Sequence, residues 1–431
     1  MGRLRRWTAL IALLAAVARA QVPTWPQTWQ MNRSTILMTC NYSGFTDPRS
    51  TVGWAIVDYD WSNAKGTGSA DGWAKHKPMD CEEMLVKQVQ MAHALSPNTG
   101  YFIYRNAIKA LNWYTTVRTK LDDPAYASWF LKFNCSGSSP TSSCHVPVCD
   151  NNYSPPLCTA LYHDQGQTPG YPHGDGDCAA PACDCGKNPC GEYLFDFRSL
   201  HVEVNGQSMI DWYVNEYFFS ETGAGNPLVA GFYTDDSWSS SGPTEMDANS
   251  VRDMGLSAQD VADVTAGYIL AQAALYPEIL KRGKFVWDQT LNHDPYAPLN
   301  GDCPQPWVRK ASCSADLRDL CVPMAAPQTR TLLYGFSPGS CTGTDPRQLT
   351  EVETDVVNFL LVRGPYAYLG NGWSGCGFGT AEFPPQLNLD YGDALGMCAE
   401  TAPGSGVFRR EFTKSTVQMD CSSYTPSITW K

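Results

Sequence analysis

Eight short apolar runs, each leading into polar residues, constrain this chain more than any other feature. They occupy 35–40, 52–60, 101–106, 193–198, 229–236, 284–289, 357–362 and 386–391. Most are rich in β-branched and aromatic residues, as strands buried on both faces are. Helical periodicity lies between several of them. Met84, Leu85, Val89, Ala92 and Leu95 fall near one face of 82–95. Ile210, Tyr213, Val214, Tyr217 and Phe218 repeat within 208–219. The longest helical pattern, 257–281, opens with Ser257 and an acidic residue three positions on, Asp260, the signature of a capping box. A further helix is expected over 348–360, running into the seventh strand.

Strand then helix, repeated, predicts a parallel sheet with crossover helices, and eight strands favour a closed (β/α)8 TIM barrel over an open doubly wound sheet. No G-x-G-x-x-G follows a strand, which removes the main support for a dinucleotide fold. The expected organisation is one barrel domain over 21–431. A Cys/Pro/Gly-rich insertion is expected at about 134–191 and a second at about 295–330. The tail alternates in Val407, Phe408, Arg409, Arg410, Glu411 and Phe412, and again in Thr416–Asp420. That predicts a terminal β-hairpin at about 406–431.

Residues 1–20 read as a secretory signal peptide: arginines, an apolar stretch, then Ala18-Arg19-Ala20. Removing Arg3, Arg5, Arg6 and Arg19 takes the formal charge from −12 to −16. Such acidity argues against nucleic acid or an anionic membrane as partner. No later run is long enough to insert in a bilayer. Seventeen cysteines in a secreted chain predict disulfides, and the odd number leaves one thiol free, intermolecular or buried. Eight of them lie between Cys135 and Cys190 and none between Gly191 and Asp302. Staples are therefore expected in the insertions, while the central third relies on its core. Sequons at Asn32, Asn41, Asn134 and Asn152 suit a glycosylated surface.

In a barrel, chemistry sits at the C-terminal ends of the strands. The fourth run supplies Asp196 and Arg198, which share a face; a guanidinium beside a carboxylate keeps it ionised and oriented. Either this is a catalytic carboxylate or a structural ion pair. The fifth supplies Asp235 and Asp236, which point to opposite faces, and parity alone leaves the inward one open. Tyr233 goes with Asp235, and Trp238 follows. The second run ends with Asp58 and Asp60 on one face, then Trp61 as a flat platform. The third ends in Arg105 and Asn106, either of them able to bind a hydroxyl. Asp288 closes the sixth run, and Arg363 and Trp373 follow the seventh. Paired carboxylates among aromatic faces suit the cleavage of glycosidic bonds.

Other chemistries fit less well. Gly372-Trp373-Ser374-Gly375-Cys376 approaches a nucleophile elbow but ends in cysteine. Cys178, Cys183, Cys185 and Cys190 lack a usual zinc spacing, so no metal site is expected. The paired-carboxylate reading requires no cofactor.

The segments 101–106, 193–198, 231–238, 363–370 and 390–396 resemble the glycoside-hydrolase-like TIM-barrel families. Strand-end F-D-x-R and G-x-x-x-D-D recur there, and this chain has Phe195-Asp196-Phe197-Arg198 and Gly231 through Asp235-Asp236. A terminal D-Y-G-x-P-L-G and a G-V-F-x-R-E-F hairpin also occur in them. Here Ala394 stands in place of the proline, and Gly406 to Phe412 matches the hairpin. The likeness runs from about residue 35 to 431, apart from the cysteine-rich insertions. It implies a hydrolase with Asp196 and Asp235 or Asp236 as catalytic acids and a carbohydrate substrate. The alternative is a non-catalytic carbohydrate-binding or cell-surface protein on the same scaffold.

Overall fold

The computed structural model describes residues 28–41, 44–64, 73, 80–111, 113–131, 163–164, 192–235, 251, 256–288, 308, 310–322, 332–334, 351–365, 367–375 and 382–431. The expected signal peptide, nearly all of the first insertion, and Asp236 and Trp238 lie outside them. Strands are β1 Thr35–Thr39, β2 Ile56–Tyr59, β3 Gly100–Asn106, β4 Lys109–Leu111, β5 His163–Asp164, β6 Glu192–Leu194, β7 Glu203–Val204, β8 Gln207–Ser208, β9 Val229–Asp235, β10 Phe285–Asp288, β11 Leu332–Tyr334, β12 Ala367–Ser374, β13 Ala399–Glu400, β14 Val407–Glu411, β15 Ser415–Asp420 and β16 Thr425–Trp430. The helices are α1 Cys81–His93, α2 Thr115–Leu121, α3 Met209–Trp212, α4 Ala258–Lys281, α5 Cys313–Leu320 and α6 Val352–Val362.

A seven-stranded parallel sheet forms the centre, in the order β10-β9-β3-β2-β1-β12-β11. Read around, this is chain order, with β10 and β11 at the two edges. Each strand lies beside its predecessor or successor in the sheet, as in a barrel, whereas a doubly wound sheet reverses direction midway. No ladder between β10 and β11 occurs among the described residues. The described sheet is thus seven strands in barrel order rather than the closed eight-stranded barrel expected. β1 and β2 are buried at every position, which is why both read as unbroken apolar runs.

Three of the eight expected barrel strands are elsewhere. Residues 193–198 do not lie between β3 and β9, which pair directly. Their ordered part, β6, joins β4 and β5 in a separate antiparallel sheet. Phe195 is buried there against Phe130, Trp212, Tyr213 and Tyr217. An apolar run signals burial, but not which sheet it joins. Residues 357–362 belong to α6, buried at every position from Asp355 to Val362. Strands β14, β15 and β16 cover this helix, so no polar face remains to reveal its period. Residues 386–391 include a 3-10 turn, Pro385–Asn388, preceded by Pro384. The strand that follows α6 is β12, whose Gly370 and Asn371 disguised it. A Cβ at Gly370 would lie 1.5 Å from the Ile36 carbonyl oxygen, so β1 and β12 can approach only because that residue is glycine.

The helical expectations hold for α1 and α4. Ser257 and Asp260 form the capping box reciprocally, with Ser257 N–H to the Asp260 carboxylate at 2.9 Å and Asp260 N–H to Ser257 Oγ at 3.2 Å. α3 continues as a π-helix, Tyr213–Phe218. The terminal hairpin is present as β14–β15, extended on either side by β13 and β16 into a four-stranded antiparallel sheet. Two disulfides, Cys313–Cys421 and Cys321–Cys398, staple both ends of α5 to this sheet. They close 108 and 77 residues of chain. Chain entropy assigns such loops roughly 5 kcal/mol each. Cys81 is a free, buried thiol, and burial pushes its pKa up.

Candidate active site at the strand ends

Parallel partners on neighbouring strands point the same way, so the register sorts the strand-end residues by face. Asp58 pairs with Phe102, and Tyr104 and Asn106 pair with Tyr233 and Asp235. With the two-residue period, Asp58, Asp60, Tyr104, Asn106, Tyr233 and Asp235 therefore share one face. The opposite face carries Tyr59, Tyr101 and Arg105 and meets the helices: His93 of α1 packs edge-on to Tyr101. Asp235 thus lies on the face away from the helices.

Three carboxylates lie on that face, Asp58 of β2, Asp60 just beyond it and Asp235 of β9. Asp58 is fully buried, and neither of its oxygens has a hydrogen-bond partner among the described residues. Burial, then the charges of Asp60 and Asp235, hold its carboxyl well above the usual carboxylate range.

Asp235 is held by a relay. The Tyr104 hydroxyl donates to Asp235 Oδ2 at 3.1 Å, and the Asn106 amide donates to that hydroxyl at 2.8 Å. The Asn106 side-chain oxygen, Oδ1, accepts the backbone N–H groups of Ile108 and Lys109 at 2.9 and 2.6 Å. Linked hydrogen bonds of this kind polarise one another and fix orientation. The π-helix holds the same turn from behind: Tyr217 donates to the Asn106 carbonyl at 2.9 Å and Tyr213 to the Ala107 carbonyl at 2.8 Å. Trp61 is half-buried at the start of a 3-10 turn, stacked on Trp113 at 5.0 Å and tilted over Tyr104 at 5.9 Å.

Other expected site residues are not brought here. Asp196 caps the 3-10 turn Phe197–Ser199 and takes a bidentate ion pair from Arg198, at 2.9 and 2.7 Å. Arg198 also reaches Asp260, at the start of α4. Asp196 thus sits in the turn after β6 and not at the end of a parallel strand. Arg105 points into the helical layer, donating to the Tyr217 and Thr222 carbonyls and pairing with Glu82 at 3.4 Å. Arg363 precedes β12 instead of ending a strand, so it lies at the N-terminal end of the sheet, bonded to Ser34 and the Thr28 carbonyl. A cavity of about 690 Å³, lined by Trp29, Ile56, Gly100 and Tyr368, opens at that same end. Asp288 and Trp373 lie in β10 and β12. No three His, Cys, Asp or Glu side chains among the described residues are placed to hold a metal. Tyr104 is a further residue of this face, signalled in the sequence only by its two-residue spacing from Asn106.

No protein-family model matches the sequence, and no curated protein matches it. Among solved structures, the chain is similar to the acarbose-soaked Nostoc punctiforme debranching enzyme, at 10% identity and a TM-score of 0.41, over 94% of this chain and 91% of that one. The native form of that enzyme gives 11% and 0.39, over 93% and 88%. The maltogenic amylase from S. marinus gives 10% and 0.38, over 91% and 62%. Superpositions this loose do not establish a shared family.

Proposed function

We propose that this chain is a carbohydrate-active enzyme, a glycoside hydrolase of the secretory pathway that works through the carboxylates of β2 and β9. The observation that carries this reading is the placement of Asp58, Asp60 and Asp235 on one face of the sheet, with Asp235 oriented by Tyr104 and Asn106. Asp235 is the carboxylate that attacks the sugar carbon or takes a proton from water. Asp60, at the end of β2 and two residues beyond Asp58, is the acid that protonates the departing glycosidic oxygen. Asp58, fully buried, is assigned no contact with the sugar. Trp61, Asn106 and Tyr233 flank the substrate. Asp196 and Arg198 brace α4 and take no part. The stapled cysteines and the exposed sequon residue Asn32 support secretion. No described helix is long and apolar enough to cross a membrane.

One observation favours the second reading, carbohydrate binding without cleavage: Asp58 and Asp60 are only 0% and 1% exposed. The secreted protein on a broad glycan panel decides between them, beside Asp235→Asn, Asp60→Asn and Asp196→Asn. Cleavage that falls by roughly a thousandfold in the first two, at unchanged Tm, supports the hydrolase. Binding without cleavage moves the assignment to the second reading. Loss of cleavage in Asp196→Asn at unchanged Tm returns the catalytic role to that residue.

A further inference from the structure

The C-terminal sheet carries an aromatic ring that its packing does not use up. Trp430 ends β16 and is 50% exposed, whereas Tyr391, on which its ring stacks at 5.2 Å and 22°, is 1% exposed. A tryptophan kept for packing hides most of its surface. This one is also held in place. It pairs with Ser415 in the β15–β16 ladder, and the next residue, Lys431, is fixed by its backbone N–H to the Lys414 carbonyl at 3.0 Å. Beneath it, the Tyr391 hydroxyl donates to the Gln386 carbonyl at 3.1 Å, and Ser415 donates to the Tyr391 carbonyl at 2.9 Å.

The charged groups beside the ring hold one another. Asp390, next to Tyr391, pairs with Lys414. Lys431, next to Trp430, pairs with Glu411 at 2.6 Å, and Arg409 holds the same carboxylate at 2.5 Å. The surroundings thus offer exposed donors and acceptors in which each of these carboxylates already has a cation. That leaves no spare carboxylate for a quaternary ammonium. It does suit a neutral ring with apolar C–H faces and hydroxyls around its edge.

We propose that Trp430 is the platform of a second carbohydrate site, on the C-terminal sheet and separate from the strand-end carboxylates, taking the C–H face of a neutral sugar ring. The site stands whether or not the strand ends cleave anything. Native gel electrophoresis through soluble glucan, mannan and xylan, with alginate as polyanion, tests it on the full chain. The expected result is retardation by at least one neutral polysaccharide, weakened at least fivefold in Trp430→Ala and kept in Asp235→Asn. Trp430→Tyr retains a ring on Tyr391, so it restores part of the binding and controls for folding. The proposal fails if no neutral polysaccharide retards the protein, if only alginate does, or if Trp430→Ala runs as wild type. It fails equally if sedimentation shows Trp430→Ala converting a dimer to a monomer, which makes the ring a contact between copies.

Discussion

The strand ends and the junction between α6 and the C-terminal sheet both bury ionisable side chains, and they treat them in opposite ways. At the junction, Arg410 donates to the carbonyls of Leu360, Leu361, Arg363 and Gly396, at 2.7 to 3.0 Å. It supplies a cation and hydrogen bonds where the last turn of α6 leaves carbonyls unpaired. Arg363 is satisfied by Ser34 and the carbonyls of Thr28, Trp29 and Gly364. Burial lowers the two to about 9 and about 10 for Arg363 and Arg410, so both remain cations at neutral pH. At the strand ends, Asp58 receives no such bonds among the described residues and shares a face with two more carboxylates. A buried charge that is fully hydrogen-bonded holds structure together; one left without partners costs stability and is retained where chemistry needs it.

The largest test of this contrast is Arg410→Met. It strips the end of α6 of its donors and should lower the unfolding free energy by roughly 3–5 kcal/mol in urea titrations. A loss below about 1 kcal/mol would show that the backbone bonds matter less than the packing of Arg410 over Trp29 and Phe412.

Asp355 sharpens the contrast, because it places a poorly satisfied acid on α6 itself. Burial raises its pKa to about 7, opposed in part by a backbone hydrogen bond from Glu351, and Oδ2 has no partner among the described residues. The folded pKa lies above the unfolded one. Its favourable contribution is therefore complete below about pH 4 and is lost as pH rises through 7, amounting to at most about 4 kcal/mol. Asp355→Asn should flatten stability between those limits; a slope that survives the substitution assigns the titration to another group.

Smaller effects are expected at the strand ends. Tyr104→Phe removes the hydroxyl between Asn106 and Asp235, and should cost about 1 kcal/mol of stability. If the proposed cleavage is found, kcat should fall more than KM rises, since orientation of Asp235 is what is lost. Asp58→Asn should have the least effect on folding. It removes a buried acid whose charged form burial disfavours, so stability at pH 8 should hold or rise by about 1 kcal/mol. A fall of several kcal/mol would mean that Asp58 is structurally satisfied, and the contrast would collapse.

Much of the site was legible from strand periodicity. The two-residue period put Asp58 with Asp60 and Tyr233 with Asp235 before any fold was known. The capping box of Ser257 and Asp260 and the alternation of 407–412 were equally readable, because both depend on contacts within a few residues or one hairpin. Arg105 could not be separated from Asn106 in the same way. They are adjacent at a strand end, and only the packing of Glu82, Tyr114 and Tyr217 behind β3 assigns Arg105 to the helical side.

The sequence by itself determined where the chain buries apolar segments, which residues alternate within each, and which acids follow them. These are local consequences of strand and helix geometry. Only the tertiary structure decided that 193–198 leaves the parallel sheet and that 357–362 is helix. The first choice depends on a nest of aromatic rings from distant segments around Phe195. The second depends on a C-terminal sheet that covers α6 and hides its period. Tertiary packing likewise chose which face of β2, β3 and β9 meets the helices. An apolar run records that a segment is covered, but its cover comes from elsewhere in the chain.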